Sequence, residues 1–262
     1  MEVHQHPHHI THKKKWGEYL LEFLMLFLAV FLGFVAENLR ETSVEHDRER
    51  EYMVTMLEDL KADIPLLNST LKNWEEAMNS VDSVADAITF PVAKANWTKV
   101  YSHINEAFNS WSFKYNERTI SQLKNAGGFR LLRNRKVANE IIAYDQFNND
   151  AIKNIAAEHN SFWQTLIMLR NKVFAQDIIS KIYNRYQYNP VPLSANSWID
   201  SLIRTNRIPL QAETKETLMF EFKNALLSYR LDYINGEKWG AINLLQKQKD
   251  LIALIGKEYH LE

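Results

Sequence analysis

The sequence predicts an all-α protein: one N-terminal transmembrane helix, continuing into a long-helix stalk and an antiparallel helical bundle. Three observations carry this. Phe23 to Ala36 contains no charged residue. Two later stretches, Met53 to Val81 and Val137 to Val173, repeat apolar residues at steps of three and four, the period of a helix with one buried face. Seven glycines and six prolines among 262 residues leave few turns, which favours long helices.

Residues 16–37, WGEYLLEFLMLFLAVFLGFVAE, form the expected membrane segment. From Tyr19 the apolar run lasts about 18 residues, interrupted only by Glu22, near the lower limit for crossing ~30 Å of hydrocarbon. Lys13, Lys14 and Lys15 precede it, Trp16 and Tyr19 match an interfacial aromatic belt, and Glu37, Asn38, Arg40 and Glu41 end it. A cleaved signal peptide would need a small-x-small site, but the best position, after Ala36, places Phe34 where a small residue belongs. The lysine and arginine counts on the two sides tie. The three lysines adjoin the boundary together, however, and that places the N-terminus in the cytoplasm. The expected layout is therefore a cytoplasmic His/Lys-rich tail (1–15), the span (16–37), a charged stalk (38–52) and a periplasmic helical bundle (53–262), with the lipid bilayer as first partner.

Glu18 and Glu22 lie four residues apart, and their face continues through Met25, Ala29, Gly33 and Ala36. The Ala29-x-x-x-Gly33 spacing lets two backbones approach closely, so Glu22, Ala29, Gly33 and Ala36 are the expected helix–helix face of a homo-oligomer or a complex with a partner membrane protein. An ionisable residue inside a span also suggests an ion or proton path. The other reading places Glu22 at headgroup level or protonated across a helix pair.

The tail carries His4, His6, His8, His9 and His12, but no ordered scaffold nearby would fix a metal geometry, so neither metal nor cofactor is expected. Cysteine is absent, which removes disulfides and thiolate chemistry. A formal net charge of −1 offers no basic field for nucleic acid.

The first ladder runs Met53, Leu57, Leu60, Ile64, Leu67, Leu71, Trp74, Met78 and Val81, with Pro65 expected to kink it and an end near Ile88. Two shorter helices follow, Asn96 to Trp111 and Asn116 to Ala126, capped by those asparagines and stopped by Gly127-Gly128. Their aromatics, Trp97, Tyr101, Phe108, Trp111, Phe113 and Tyr115, read as core. One helix is expected from Asn134 to about Tyr188, its ladder being Val137, Ile141, Tyr144, Asn148, Ala151, Ile155, His159, Phe162, Leu166, Leu169 and Val173. Pro190 and Pro192 end it. After an amphipathic turn over Ser197–Thr205, a last helix spans about Ala212 to Ile255, with Leu218, Phe222, Ala225, Tyr229 and Tyr233 inward. Gly236 and Gly240 loosen its middle or permit close packing.

Arg130, Arg133, Arg135 and Lys136 gather where a helix begins, a position that already favours anions. Their charge calls for an acidic neighbour such as Glu58, Asp59, Asp63, Glu75 or Glu76, or for a bound anion. Walker, GxGxxG, GxSxG and HExxH motifs are absent, so no enzymatic activity is expected.

The segment HKKKWGEYLLEFLMLFLAVFLGFVAENLRE, followed by EYMVTMLEDLKADI, resembles a family of single-span envelope proteins of unknown function common in Bacteroidota, and ERTISQLKNAGGFRLLRNRKVANEIIAYD is similar to its second block. The resemblance covers residues 10–64 and 117–145 and implies a bacterial inner-membrane setting. The expected function is a membrane-anchored interaction module, a scaffold or a sensor. The alternatives are a subunit of an ion-coupled complex using Glu22, and a periplasmic anion sensor using the arginine cluster.

Overall fold

A computed structural model describes residues 15–108, 113–125, 127–188, 196–205 and 216–261. Among them the secondary structure is helical throughout: α1 (Trp16–Ala87), α2 (Trp97–Ala107), α3 (Arg118–Asn125), α4 (Arg135–Val173), α5 (Gln176–Tyr188), α6 (Asn196–Thr205), α7 (Glu216–Asp232) and α8 (Trp239–Tyr259). Short 3₁₀ turns occupy Val92–Lys94 and Gly128–Arg130, and a π-helical turn occupies Tyr233–Lys238. The chain divides into two compact units, Met1–Glu51 and Tyr52–Glu262.

The first unit holds the apolar start of α1, and none of its most apolar stretch is buried. By length and composition this is a candidate membrane-spanning helix. Its polar end is marked by Arg40, whose guanidinium donates to both oxygens of Glu37 at 3.0 and 2.5 Å.

In the second unit α1 behaves as its ladder predicts. Met53, Leu57, Leu60, Leu67, Met78 and Val81 are buried, and Ile64, Leu71 and Trp74 are partly so. The helix continues through the expected kink site, with Pro65 exposed on its outer side. Two apolar clusters form along it. Met53 to Leu71 joins Tyr115, Ile120, Leu123, Leu132, Val137, Ile141 and the inner face of α8. Ala77 to Ile88 joins α2, the end of α4, and α5 to α7. Trp74 packs against both clusters.

Three expected helices differ from the observed ones. The first of the short pair ends at Ala107 rather than reaching Trp111, which lies outside the described residues with its neighbours 109–112. Phe108 leaves the helix to pack on Trp163 and Phe222, at ring separations of 5.4 and 6.4 Å.

The long helix expected from Asn134 to Tyr188 is broken at Phe174, which is extended (φ −108°, ψ 146°) and wholly buried. Its ring meets Trp97, Tyr101 and Phe222 edge-on at 6.4, 5.6 and 5.2 Å, and Ala175 N–H donates to Tyr101 Oη. Aromatic pairs contribute about 0.5–1.5 kcal/mol each beyond burial, so three of them outweigh an interrupted helical ladder. Within α4, Phe162 is 39 % exposed, against its expected inward place, and Trp163 takes that role against Phe108 and Tyr229. The side chains of Ala151, Ile155 and His159 lie outside the described residues, as do Pro190 and Pro192.

The last helix is interrupted too. The inward set of α7 is Met219, Phe222, Leu226 and Tyr229, leading to Tyr233, and that of α8 is Ala241, Leu244, Gln248, Leu251 and Ile255. Met219 and Ala241 are 22 residues apart, one more than three heptads. A π turn absorbs one extra residue, so Tyr233–Lys238 corrects the slip and keeps both faces inward. Gly236 serves looseness rather than close packing, since a Cβ built there meets nothing within 4 Å. Deleting Gly236 should therefore restore a continuous heptad phase and leave the melting temperature unchanged or higher. Inserting an alanine beside it doubles the slip and should lower the melting temperature, a contrast read by circular dichroism.

Candidate functional site

The structure places the two sequence-predicted sites in different units. In the first, Glu22, Ala29, Gly33 and Ala36 are all exposed, and a Cβ added at Gly33 meets nothing within 4 Å. At about 100° per residue these four share one side of α1. Phe23, Phe27 and Phe31 stack along the roughly opposite side, at ring separations of 6.4 and 6.0 Å. One face is thus thin and the other bulky, the asymmetry that close backbone packing in lipid requires.

In the second unit, Gly127 adopts the left-handed conformation (φ +66°) that ends α3. Gly128 sits so tightly that a Cβ would come 3.0 Å from Leu123 Cα. Asn134 then caps α4, accepting hydrogen bonds from the Lys136 and Val137 N–H groups at 3.1 and 3.2 Å. That cap occupies donors an anion would otherwise use. Arg130, Arg133, Arg135 and Lys136 are exposed.

The acids expected to offset this cluster are engaged elsewhere. Glu58 and Asp59 pair with Arg118, at 3.3 and 2.8 Å. Asp63 accepts from Asn116 N–H, Glu75 pairs with Lys238, and Glu76 with Lys72. The reason is local: residues 115–119 dock on α1 and reach its carboxylates first. The acid tied to the start of α4 is instead Glu258, which accepts from Asn134 Nδ2 at 2.7 Å.

That docking builds a buried polar seam which the apolar ladders conceal. Asp59, 2 % exposed, accepts from Thr119 N–H and Oγ1 (3.0 and 2.5 Å) and Asn116 Nδ2 (2.8 Å), besides Arg118. Its carboxylate therefore caps the start of α3 from another helix. On α4, Asp145 accepts from Tyr115 Oη at 2.9 Å and pairs with Lys124 at 2.5 Å. Burial, and then the hydrogen bond to the Asp145 charge, pushes the Tyr115 phenol up. Burial also raises Asp63, a shift that the Asn116 N–H opposes and the Asp59 charge reinforces. The available sequence signal was the four-residue spacing of Asp59 and Asp63 along the edge of the first ladder.

The aromatic residues Trp97, Tyr101 and Phe108 pack into the core as expected. The histidine-rich tail lies outside the described residues, and among those described no group of three or more His, Asp or Glu side chains gathers to hold a metal.

Removing a buried carboxylate that satisfies several donors, one of them charged, costs about 3–5 kcal/mol. Asp59→Ala should lose stability of this order in chemical denaturation, while Glu58→Ala, whose partner contact is exposed, should lose less than about 1 kcal/mol.

No protein-family model, curated protein or solved structure matches this chain.

Proposed function

We propose that the chain is a membrane-anchored helical interaction module, a scaffold or sensor, whose residues 16–37 cross a bacterial inner membrane and whose helical bundle is presented to the periplasm. The observation that carries this reading is the exposure of the apolar part of α1. Phe23, Leu26, Phe31, Leu32 and Phe34 are each at least 50 % exposed, whereas the apolar ladder of the second unit is buried in its own clusters. A core helix would be covered by protein; this one is not, and hydrocarbon is the solvent that suits it. The lysine cluster before Trp16 supports a cytoplasmic N-terminus, and the resemblance of residues 10–64 and 117–145 to single-span envelope proteins supports the setting.

Interaction rather than chemistry is the part of the reading that rests on the thin face. Hydrophobicity does not drive helices together in lipid, so association there comes from close packing and interhelical hydrogen bonds. Ala29 and Gly33 supply the first, and Glu22, when protonated, supplies the second. The partner is a second copy or another membrane helix.

Two measurements test this. An alkaline phosphatase fused after Glu262 should be active, and a cytoplasm-only reporter at the same place should be dark; the reverse pattern refutes the orientation. Crosslinking in native membranes should give an oligomer for the wild type and much less for Gly33→Ile, whose branched side chain holds the backbones apart. An oligomer unchanged in Gly33→Ile removes the thin face from the account.

A further inference from the structure

Asp59 and Asp63 stand one turn apart on α1, both 2 % exposed, and a single residue binds both. Asn116 donates from Nδ2 to Asp59 Oδ1 at 2.8 Å and from its backbone N–H to Asp63 Oδ2 at 2.8 Å. The cation of this group, Arg118, sits on Asp59 at 2.8 Å, where Thr119 adds two further donors. No lysine or arginine among the described residues pairs with Asp63. Two buried carboxylates thus share one asparagine and one guanidinium.

The elements packed on this stretch of α1 bring no spare cation to it. On α1 itself Glu58 and Lys61 are exposed, and Glu58 shares Arg118 at 3.3 Å. On the docked segment Lys114 and Glu117 are exposed, and Tyr115 Oη is turned to Asp145 at 2.9 Å. Lys124 of α3 is committed to Asp145 at 2.5 Å, and α4 otherwise presents the Tyr144 phenol, kept neutral by burial. α8 meets this part of α1 through Gln248, whose Nε2 donates to the Leu60 carbonyl at 2.7 Å, while Lys247 and Lys249 beside it are exposed. A buried carboxyl with a like charge one turn away and no cation of its own takes up a proton rather than stand as an uncompensated charge. The observed hydrogen bond permits this: Asn116 N–H occupies Oδ2, so the proton goes to Oδ1 and the bond survives. Burial raises the Asp63 pKa against the Asn116 N–H, and the Asp59 charge adds to the rise.

We propose that Asp63 carries a proton while residues 115–119 are docked on α1, and that Asp59, Asn116 and Asp63 form a latch closed by acid and loosened as the pH rises. Because the docked carboxyl holds its proton more tightly than the undocked one, the stabilisation is fully present below the ordinary aspartate range and is lost as the pH rises through the docked value. Deprotonation puts two like charges on one asparagine, and the segment that begins α3 gives way. The device lies within the second unit and works on whichever side of the membrane that unit stands.

The test is hydrogen exchange of the full chain in nonionic detergent, read by mass spectrometry on peptides covering residues 115–119, for wild type and Asp63→Asn at matched pH. Asparagine keeps an acceptor for the Asn116 N–H and carries no charge at any pH. Wild type should exchange at the variant's rate near about pH 4 and faster at about pH 8, by about tenfold for each pH unit that separates the docked and undocked titrations of Asp63. A peptide from the middle of α8 should show no such divergence. A carbon-13 titration of the aspartate carboxyls in wild type is a second readout that needs no variant to fold, and the Asp63 resonance should titrate above the ordinary aspartate range. An Asp63 resonance at or below that range overturns the proposal. So does equal exchange of residues 115–119 in the two proteins at every pH, and so does faster exchange in Asp63→Asn at the alkaline end, the result expected if the charge itself is the fastening.

Discussion

One face of α1, from Met53 to Ala87, is a wall of both apolar clusters, and the remaining helices of the second unit are placed by how they cover it. The constraint is geometric. A helix face has a fixed pitch, so each element that packs along it must keep its own apolar side turned toward it over many turns. Trp74 marks the changeover: it packs against both clusters and meets Tyr233 edge-on at 6.2 Å. Tyr233 opens the π turn, so the residue that ends the inner face of α7 also begins the correction that turns α8 inward. Without that correction the apolar residues of α8 would rotate away from Met56, Leu60 and Leu67.

Polar contacts settle where the shorter elements sit. Apolar packing alone tolerates sliding, whereas a buried carboxylate with four directional donors does not. Asp59 holds Asn116, Arg118 and Thr119 together and caps α3 in the same act. Arg230 does related work at the other cluster, donating from Nε to both Asp82 oxygens at 3.2 and 3.0 Å and lying over the Tyr233 ring. Lys223 and Glu216 of α7 reach the Ile88 carbonyl and the Val92 N–H, so the turn that follows α1 is fastened by side chains from the far end of the sequence.

The two units use apolar surface in opposite ways. In the second it is consumed inside the protein; in the first it faces outward along α1 from Tyr19 to Phe34, with a thin side at Ala29 and Gly33 and a phenylalanine stack opposite. Such a surface in water would be an aggregation site, and in hydrocarbon it is an anchor with one packing face. The proposed function follows from this contrast, and the arginine cluster remains an exposed basic patch beside an already capped helix.

The helical class, the apolar N-terminal helix, the inward residues of α1, the cap at Asn96 and the start of a helix at Asn134 were legible in the sequence because each depends on neighbours within about one or two helical turns. The chain breaks were not. Phe174 leaves the helix because of Trp97, Tyr101 and Phe222, which are distant in sequence, and the one-residue slip between α7 and α8 has meaning only against the fixed face of α1. The charge pairing was equally out of reach: composition names the acids, but only docking of residues 115–119 decides that Arg118, rather than Arg130 or Arg135, meets Asp59. Local periodicity selects what each segment becomes, whereas contacts between segments far apart in the chain decide where it stops and which charges it meets.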